Sequence, residues 1–504
     1  MPITEAAKSH IDTTADGAAI IDQILSGGNM VRGNDPAQKK HARDIVGEFV
    51  QQVLDERGKN QKIDPDVVAA IQDRIAEIDE LIGKQLDAIL HAPEFQSLEA
   101  RWRGLHYLVM NSETGTRLKI RVLNVSKSEL MKDLTTAPEF DRSSLFKKVY
   151  EEEYGTFGGA PYGALIGDYE FDASNPDITT LSEISKVAAA AHAPFITAAS
   201  PHLFDMDSYT QIGVPGDLAK IFESTQYIPW RAFRESEDSR YVGLVCPHVL
   251  LRLPYGPKGL PVEGFMYEEK VGSDGKNLGA EDKNFLWGNA AYALGQRITN
   301  AFAMYGWCAA IRGVEGGGLV ENLPVHVFKT SDGDLSVKTP TEVAITDRRE
   351  NELSELGFIG LCYRKNSGQA AFFGGSTANK PKVYNLPTAT ANARLSAQLP
   401  YILATSRFAH YIKVMMRDKI GSFMTKDNVS GYLNNWIADY VLLNDDAGQE
   451  TKARLPLREA RIDVTDVPGK PGAYRAVVFL KPHFQLNELS VSMRLVAELP
   501  PPAA

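Results

Sequence analysis

Residues 93–109 read PEFQSLEARWRGLHYLV, and after a short polar loop residues 118–125 read LKIRVLNV. The first run begins with proline and mixes aromatic with charged side chains, which predicts a helix that starts near Pro93. The second run alternates apolar with polar residues and contains β-branched side chains, which predicts a strand. Neither run carries a catalytic motif.

The segment before this stretch predicts a long amphipathic helix. Asp64 offers a capping side chain, and Pro65 stands at the first helical position, where proline is favoured. The apolar residues that follow recur every three or four positions and therefore share one helical face. They are Ile71, Ile75, Ile78, Ile82, Leu86 and Ile89. This face is buried either in the chain's own core or against a partner chain.

The first 60 residues predict a mobile segment. Residues 1–17 are small, polar and aperiodic, which is typical of disorder. A short apolar island follows, and its members fall on one helical face: Ile20, Ile21, Ile24 and Leu25. The island has no obvious core to join, so we expect it to dock elsewhere as a helix.

Beyond residue 116, strand-like and helix-like segments alternate, which predicts a mixed α/β fold. The strand-like segments are 162–168, 241–246 and 324–329. The helix-like segments are 181–191, 286–310 and 347–356. We expect Trp102, Arg103, His106 and Tyr107 to pack where the helical region joins this body.

The last hundred residues have a different pattern. Helices are predicted over 400–423 and 429–442, and strands over 473–480 and 489–499. In the final strand four apolar residues alternate with polar ones: Leu489, Val491, Met493 and Leu495. A terminal strand of this kind can complete the sheet of a neighbouring subunit through main-chain hydrogen bonds.

Composition excludes several classes of protein. The 504 residues carry a net charge of −10, which gives no support to general binding of nucleic acid or anionic membranes. The three cysteines, Cys246, Cys308 and Cys362, are far apart, which argues against disulfides and zinc and suits a reducing cytoplasm. No secretory signal and no run of 18 apolar residues is present, so a cytoplasmic protein without membrane insertion is expected.

Motifs for catalysis and cofactors are absent from the sequence. It contains no phosphate-binding loop, no dinucleotide fingerprint and no metalloprotease or hydrolase motif. The glycine-rich run 313–318 lacks the lysine of a phosphate loop and predicts a flexible turn. We therefore expect no catalytic residue, no cofactor and no metal site. The rival hypothesis is an enzyme that uses Asp168, Glu170 and Asp172, which alternate along a strand and can share one face.

Two charged segments stand out in this acidic chain. Residues 231–240, RAFRESEDSR, mix both signs and form either a switchable ion-pair network between subunits or a solvated surface. Four basic residues fall on one side of the predicted helix 400–423: Arg407, His410, Lys413 and Arg417. This basic stripe either grips an acidic partner or is an ordinary solvated face.

Several long motifs occur in a specific order and carry a family resemblance. They include PEFQSLEARWRGLHYLV, FKKVYEEEYGTFGGAPYGALIGDYEF at 146–171, AAAAHAPFITAASP at 188–201, RLPYG at 252–256 and YGWCAAIRGVEGGG at 305–318. From about residue 44 to residue 500 the chain resembles the large sheath subunit of the bacterial type VI secretion system, the TssC or VipB family.

The resemblance implies a contractile-sheath-type fold with an N-terminal helical region and a C-terminal β-strand arm. Its partners would be a small sheath subunit (TssB or VipA), copies of the same chain, an inner tube, a baseplate and a disassembly ATPase of the AAA+ class (the ClpV family). The large subunit itself would catalyse nothing. The alternative is a sheath protein of a related contractile injection machine or phage tail.

The resemblance also implies roles for the segments above. A mobile part (1–60) would carry the unfoldase-binding helix at Ile20, Ile21, Ile24 and Leu25. The helical region (61–115) would meet the small subunit through the Ile71–Ile89 face, followed by the α/β sheath body (116–395). The C-terminal domain (396–504) would supply the inter-subunit strand at Leu489, Val491, Met493 and Leu495. The basic stripe would contact the inner tube.

Overall fold

The computed structural model describes residues 36–57, 67–272, 281–330, 332–422, 424–444, 446–470, 472–483 and 485. The α-helices in this part of the chain are α1 Pro36–Arg57, α2 Val67–Leu90, α3 Pro93–Met110, α4 Lys127–Thr136, α5 Ser144–Phe146, α6 Asn175–Ala191, α7 Ala219–Glu223, α8 Ile228–Glu235, α9 Ala291–Tyr305, α10 Asp347–Glu355, α11 Pro387–Leu395, α12 Leu399–Asp418, α13 Lys426–Ala438 and α14 Gln449–Arg454. A π-helix, Lys147–Tyr154, continues directly from α5.

The described strands form one large and three small sheets. They are β1 Leu165–Phe171, β2 Phe195–Ala199, β3 Val242–Cys246, β4 Val249–Leu250, β5 Trp287–Gly288, β6 Leu319–Val320, β7 His326–Lys329, β8 Leu335–Lys338, β9 Phe358–Tyr363, β10 Ala370–Phe372, β11 Leu457–Asp466 and β12 Tyr474–Pro482. The large sheet has the order β1-β2-β3-β9-β10-β6, and the pairs β4–β5, β7–β8 and β11–β12 stand apart from it.

Two compact units divide the chain, Met1–Ile82 and Gly83–Ala504. The boundary between the units falls inside α2. The observed helix, Val67–Leu90, confirms the long helix that the apolar periodicity predicted. The finer division into 1–60, 61–115, 116–395 and 396–504 stays a prediction.

The large sheet forms the core of the second unit. Strands β1, β2, β3 and β9 are parallel, and β10 and β6 continue the sheet in antiparallel fashion. Because successive side chains of a strand point to opposite faces, each strand feeds two apolar layers. On β2, Phe195 packs with one cluster and Ile196 with the other. The sheet is therefore covered on both faces, by α6 and α8 on one side and by α9 and α12 on the other.

Helix α12 connects the large sheet to a C-terminal subdomain. The first half of this helix, with Leu399 and Leu403, packs on the large sheet. Its second half, with Phe408 and Ile412, packs instead with α13 and the β11–β12 hairpin. The tail then returns to the same helix, where the backbone N–H of Gln485 donates to the hydroxyl of Tyr401 at 3.0 Å. One long helix thus couples the body to the hairpin.

The mixed α/β class is confirmed, and so are helices in every segment predicted as helical within the described chain. The predicted strand at 118–125 is wrong for this chain: residues 118–126 contain no helix, strand, turn or bend. Strand propensity is realised only when another strand supplies hydrogen bonds, and no described strand pairs with this segment. The sequence pattern did not predict β2, β9 and β11, because these strands are short or lack clear alternation.

Gly104 sets the approach of α3 to α9. It is buried in α3, and a Cβ at this position would overlap Cδ2 and Cε2 of Tyr292 on α9. Tyr292 is held in place by a hydrogen bond to Asp168. The absence of a side chain at 104 therefore allows the two helices to pack closely.

We expect Gly104→Ala to lower the free energy of unfolding by about 1–3 kcal/mol, because overpacking outweighs the gain in helix propensity. The matched control is Gly431→Ala in α13, where no atom lies within 4 Å of the added Cβ. That change should stabilise the protein by about 0.5–1 kcal/mol. Urea unfolding followed by circular dichroism measures both, and equal effects of the two substitutions would contradict the packing argument.

Candidate assembly surfaces and buried charged clusters

The predicted apolar face of α2 is exposed in the described chain. The exposed fractions are 53% for Ile75, 46% for Ile78, 44% for Ile82 and 43% for Ile89, while Leu86 is half-buried. Ile71 lies in α2, but its side chain is outside the described set. Of the two alternatives open at the sequence level, burial in the chain's own core is therefore not favoured, and the face remains available to a partner.

Apolar side chains are also exposed on α3, within residues 93–109. Phe95, Leu98, Trp102 and Val109 recur on one side of the helix, and Trp102 is 66% exposed. The expectation that Trp102 packs at the join is wrong, whereas Tyr107 does pack against the core. The helical spacing of these residues was the available signal for a second apolar face.

A buried charged cluster anchors the start of α3. Arg252 donates from Nη1 to Glu269 at 2.6 Å and from Nε to Glu99 at 2.8 Å. Glu99 also accepts from Nε of Arg103 at 2.7 Å, and His91 lies 3.1 Å from Glu269. The exposed fractions of the Arg252 and Glu269 side chains are 3% and 0%. The RLPYG and PEFQSLEARWRG motifs therefore meet in one ion network.

The charges in this cluster stabilise one another. Burial alone raises the pKa of Glu269, but hydrogen bonds from His91 and Arg252 outweigh it and lower that pKa. Burial likewise opposes the charge of Arg252, and the carboxylates of Glu269 and Glu99 raise its pKa. The backbone N–H of Tyr255 completes the set by donating to Glu269 at 2.9 Å. Such a network holds α3 against the segments around Arg252 and Glu269.

A second cluster surrounds His248, which follows β3. Its Nδ1 lies 2.5 Å from Glu342 and its Nε2 lies 3.0 Å from Glu170. Burial disfavours the imidazolium, but hydrogen bonds to Glu170 and Glu342 outweigh burial and raise the pKa of His248 to about 10. Glu342 is further held by the Ser208 hydroxyl at 2.6 Å. The imidazolium therefore bridges β1 to the segment before α10.

The three carboxylates of the rival enzyme hypothesis serve separate structural contacts. Asp168 faces Tyr292, Asn289 and Arg101, and its burial raises its pKa. Glu170 pairs with His248, as above. Asp172 accepts from the backbone N–H of Ser174 at 2.7 Å, in the turn just before α6. Because each carboxylate has its own partner, the arrangement does not favour an acid–base pair that shares one substrate.

The basic stripe of α12 is turned inward. His410 is 2% exposed, and its Nε2 donates to the carbonyl of Ala191 at 2.8 Å. Burial lowers the pKa of His410 to about 4, so the ring is neutral at pH 7. Lys413 Nζ lies 3.5 Å from the ring centroid of Tyr154. Arg417 donates to the carbonyls of Tyr154 and Thr156. The stripe is therefore not a solvated face.

This placement corrects the expectation for His410, because a buried neutral ring cannot contact a tube directly. Instead, His410, Lys413 and Arg417 hold α12 against neighbouring parts of the body, including the π-helix. Arg407 lies over the ring of Tyr411, with its guanidinium carbon 4.9 Å from the centroid, and is half-buried. A contact between Arg407 and an inner tube stays a prediction.

The charged run 231–240 splits into an inner and an outer part. Arg234 is 7% exposed and donates to the carbonyls of Ala378 and Glu355 at 3.0 and 3.2 Å. Glu235 and Glu237 are exposed, and they lie 4.0 Å from Lys380 and 3.8 Å from Lys382. Such loose exposed pairs contribute little to stability. The outer part is exposed, and a change of its partners between subunits stays a prediction.

The two predicted terminal elements lie outside the described residues. These are the docking helix at Ile20, Ile21, Ile24 and Leu25 and the strand at Leu489, Val491, Met493 and Leu495. The hairpin that precedes the strand is well described: β11 and β12 pair with each other and with no other described strand. The outer side of β12 exposes Val477 and Phe479. On the outer edge of β11, Ile462 already bonds to Asn434 at 2.8 and 3.0 Å, so β12 is the edge on which a further strand could pair.

Within the described residues, no group of His, Cys, Asp and Glu side chains could hold a metal ion. Cys246, Cys308 and Cys362 are free thiols, and burial raises the pKa of each. No helix among the described residues is long and apolar enough to cross a membrane. The glycine-rich run 313–318 forms turns against the backbone of Phe372.

Comparison with known families gives two adjoining matches. Residues 72–379 match the family described as EvpB/VC_A0108, tail sheath N-terminal domain. Residues 388–499 match EvpB/VC_A0108, tail sheath gpW/gp25-like domain. The two matches together span the sheet, α12 and the hairpin.

A curated relative from Pseudomonas aeruginosa, the type VI secretion system sheath protein TssC1, is 47% identical over 499 residues. The match covers 98% of this chain and 99% of that protein. Among solved structures, a chain of the anti-feeding prophage baseplate is 12% identical with a TM-score of 0.36, covering 75% of this chain and 83% of its own. A chain of the contracted anti-feeding prophage sheath has 12% identity, a TM-score of 0.30, and coverages of 64% and 68%.

Proposed function

This chain belongs to the VipB family of tail-sheath proteins, the large sheath subunits of type VI secretion, and from that membership we propose how it assembles and works. The chain pairs with a small sheath subunit (TssB or VipA), and the pairs polymerise around an inner tube. The sheath then contracts from a baseplate and propels the tube and its spike out of the cell. These steps take place in the cytoplasm, and the chain catalyses no reaction.

The exposed apolar face of α2 is the observation that carries this proposal. Four isoleucines at helical spacing are each more than two fifths exposed, and on α3 Phe95, Leu98 and Trp102 are exposed as well. Exposed apolar surfaces of this kind are typical of protein interfaces. We propose that the small subunit covers the face formed by Ile71, Ile75, Ile78, Ile82, Leu86 and Ile89.

Contacts between copies of the chain would use the C-terminal hairpin. The hairpin has only two described strands, and strand addition from a neighbour would extend it. We propose that Leu489, Val491, Met493 and Leu495 supply such a strand. Main-chain hydrogen bonds then join subunits firmly while the connecting segments bend during contraction.

Contraction itself would draw on stored energy in the lattice. Interfaces with two alternative arrangements are a known route to such switching. The outer carboxylates Glu235 and Glu237, with Lys380 and Lys382, line a surface groove of about 470 Å³ and are candidates for contacts that change. An AAA+ unfoldase of the ClpV class would recycle the contracted sheath by binding Ile20, Ile21, Ile24 and Leu25.

We expect Ile75→Asp combined with Ile78→Asp to reduce recovery of the complex with the small subunit at least tenfold. The two aspartates would place charge in the apolar centre of the interface, where desolvation is costly. Co-purification through a tag on the small subunit measures the effect. Because both side chains are already exposed in the free chain, the substitutions should leave its folding intact.

The matched control is Val214→Asp, which introduces the same charge at an apolar residue that is 81% exposed outside α2 and α3. This variant should recover the complex at the wild-type level. Normal complex formation by the double variant would refute the assignment of α2 to the interface.

A further inference from the structure

A segment of strand-like sequence remains without a strand partner in the second unit. Residues 118–126 run from the loop after α3 to the start of α4 with no helix, strand, turn or bend. Val122 and Leu123 are 66% and 51% exposed. Adjacent apolar residues on opposite sides of an extended chain are typical of a strand that is covered on both faces.

The backbone of residues 119–124 makes no hydrogen bond within the described chain. Both ends of the segment are nevertheless fixed. The carbonyl of Leu118 accepts from the N–H of Gly115 at 2.8 Å, and the carbonyl of Val125 accepts from the hydroxyl of Tyr169 at 2.8 Å. In the middle, Arg121 forms an ion pair with Glu153 and donates to the Tyr162 hydroxyl at 3.3 Å. The segment is thus pre-organised as a template for strand addition.

We propose that residues 119–124 are a β-strand of the assembled sheath, completed by a strand of the small sheath subunit. This inference rests on the proposed pairing of the two subunits and adds a second, main-chain contact to the α2 face. Six residues span about 20 Å, the length of an ordinary strand in a globular protein. Strand addition of this kind would satisfy the free amides and carbonyls of the segment.

Charge indicates what the added strand carries. Arg117 and Lys119 are exposed, and neither forms an ion pair within the described chain. Arg121 is already neutralised by Glu153. Opposite charges across a strand pair are stabilising, and like charges are destabilising. The partner strand is therefore expected to place Asp or Glu opposite Lys119, and apolar side chains opposite Ile120 and Val122.

A second copy of this chain fits less well. Its C-terminal run 489–499, LSVSMRLVAEL, carries one arginine and one glutamate and so offers no net negative charge. Placed beside the segment, Arg494 would face a basic template. The small subunit is therefore the occupant that the charges favour.

Hydrogen exchange of the main-chain amides tests the proposal directly. In the full chain alone, the amides of residues 119–124 should exchange freely, because they have no intramolecular acceptor. In the complex with the small subunit, amides on the paired edge should slow at least 100-fold, at every second residue. Alternate protection distinguishes strand pairing from burial of the whole segment.

Proline substitutions provide an independent test. Val122→Pro and Leu123→Pro remove amides that point to opposite edges, so one of the two should lower complex recovery about tenfold or more. Neither removes a hydrogen bond from the free chain, so both variants should fold. The matched controls Val122→Thr and Leu123→Thr keep the amide and carry a β-branched side chain that favours strands, and should stay within about threefold of wild type.

The outcomes separate this inference from the function on which it rests. If no complex forms with the wild-type chain, both fail. If the complex forms but residues 119–124 exchange as in the free chain, or both proline variants bind normally, only strand addition fails. Protection that appears in the chain alone at high concentration would assign the segment to a second copy and overturn the small subunit as its occupant.

Discussion

Replacing Arg252 with leucine should lower the free energy of unfolding by about 3–5 kcal/mol, because it leaves the buried carboxylate of Glu269 without its guanidinium partner. Glu269 has a fully buried side chain and cannot regain solvent without local unfolding, whereas Glu99 keeps its hydrogen bond from Arg103. His91 and the N–H of Tyr255 would remain as donors to Glu269, but they supply less charge than a guanidinium held by two hydrogen bonds.

Urea unfolding monitored by tryptophan fluorescence measures this loss. The matched control is Arg454→Leu, which breaks an ion pair with Glu450 whose partners are 59% and 69% exposed, and which should change stability by no more than about 0.5 kcal/mol. Arg252→Lys should fall between the two, since it keeps the charge but loses the forked geometry. A leucine variant as stable as the control would show that the cluster contributes little net stability.

The loss of the Arg252 contacts should also affect the exposed apolar surface of α3. Glu99 and Arg103 belong to α3, and His91 precedes it, so the cluster orients α3. We therefore expect Arg252→Leu to weaken small-subunit binding as well. Because Arg252 is not exposed, that effect would be indirect, acting through the placement of α3.

Replacing His248 with glutamine should produce a loss of stability that depends strongly on pH. A histidine whose pKa rises on folding contributes fully below its unfolded value of about 6.5, and its contribution is lost as pH rises through the folded value. For His248 that folded value is about 10. The difference in the free energy of unfolding between wild type and His248→Gln should therefore be largest near pH 6.5, on the order of 4 kcal/mol. It should decrease steadily towards pH 10.

Thermal or urea unfolding at several pH values between 6.5 and 10 tests this result. The stability difference between the two proteins is the informative quantity, since lysines and tyrosines titrate in both as pH approaches 10. The control is His106→Gln, at an exposed residue of α3. Its difference in stability from wild type should stay near zero at every pH. A constant gap for His248→Gln would mean that its ring is neutral in the folded protein.

The contribution of Glu342, in the same cluster, depends on pH in the opposite direction. Burial opposes ionisation of Glu342, but the His248 hydrogen bond and charge lower its pKa. A carboxylate with a lowered pKa stabilises the fold above its unfolded value, and that contribution is lost as pH falls through the folded value. The His248 cluster therefore favours the folded chain most strongly between the acid range and about pH 6.5.

Local periodicity made much of the fold predictable. The spacing of isoleucines determined α2, and proline at 93 marked the start of α3. Alternation of strand-like and helical segments indicated the α/β class, and the long ordered motifs identified the family. These features depend on residues within one or two turns of each other, so a sequence displays them directly.

Tertiary structure decided which groups meet and which stay unpaired. Arg252 and Glu99 are 153 positions apart in the chain, and no local pattern indicates their contact. The sequence of the basic stripe on α12 does not show that its side chains contact the π-helix and Ala191 in the folded chain. The run 118–125 has the sequence of a strand, but a strand needs a partner, and the described chain supplies none. Sequence thus set local conformation, while burial and pairing depended on distant groups that only the folded chain, or its assembly, brings together.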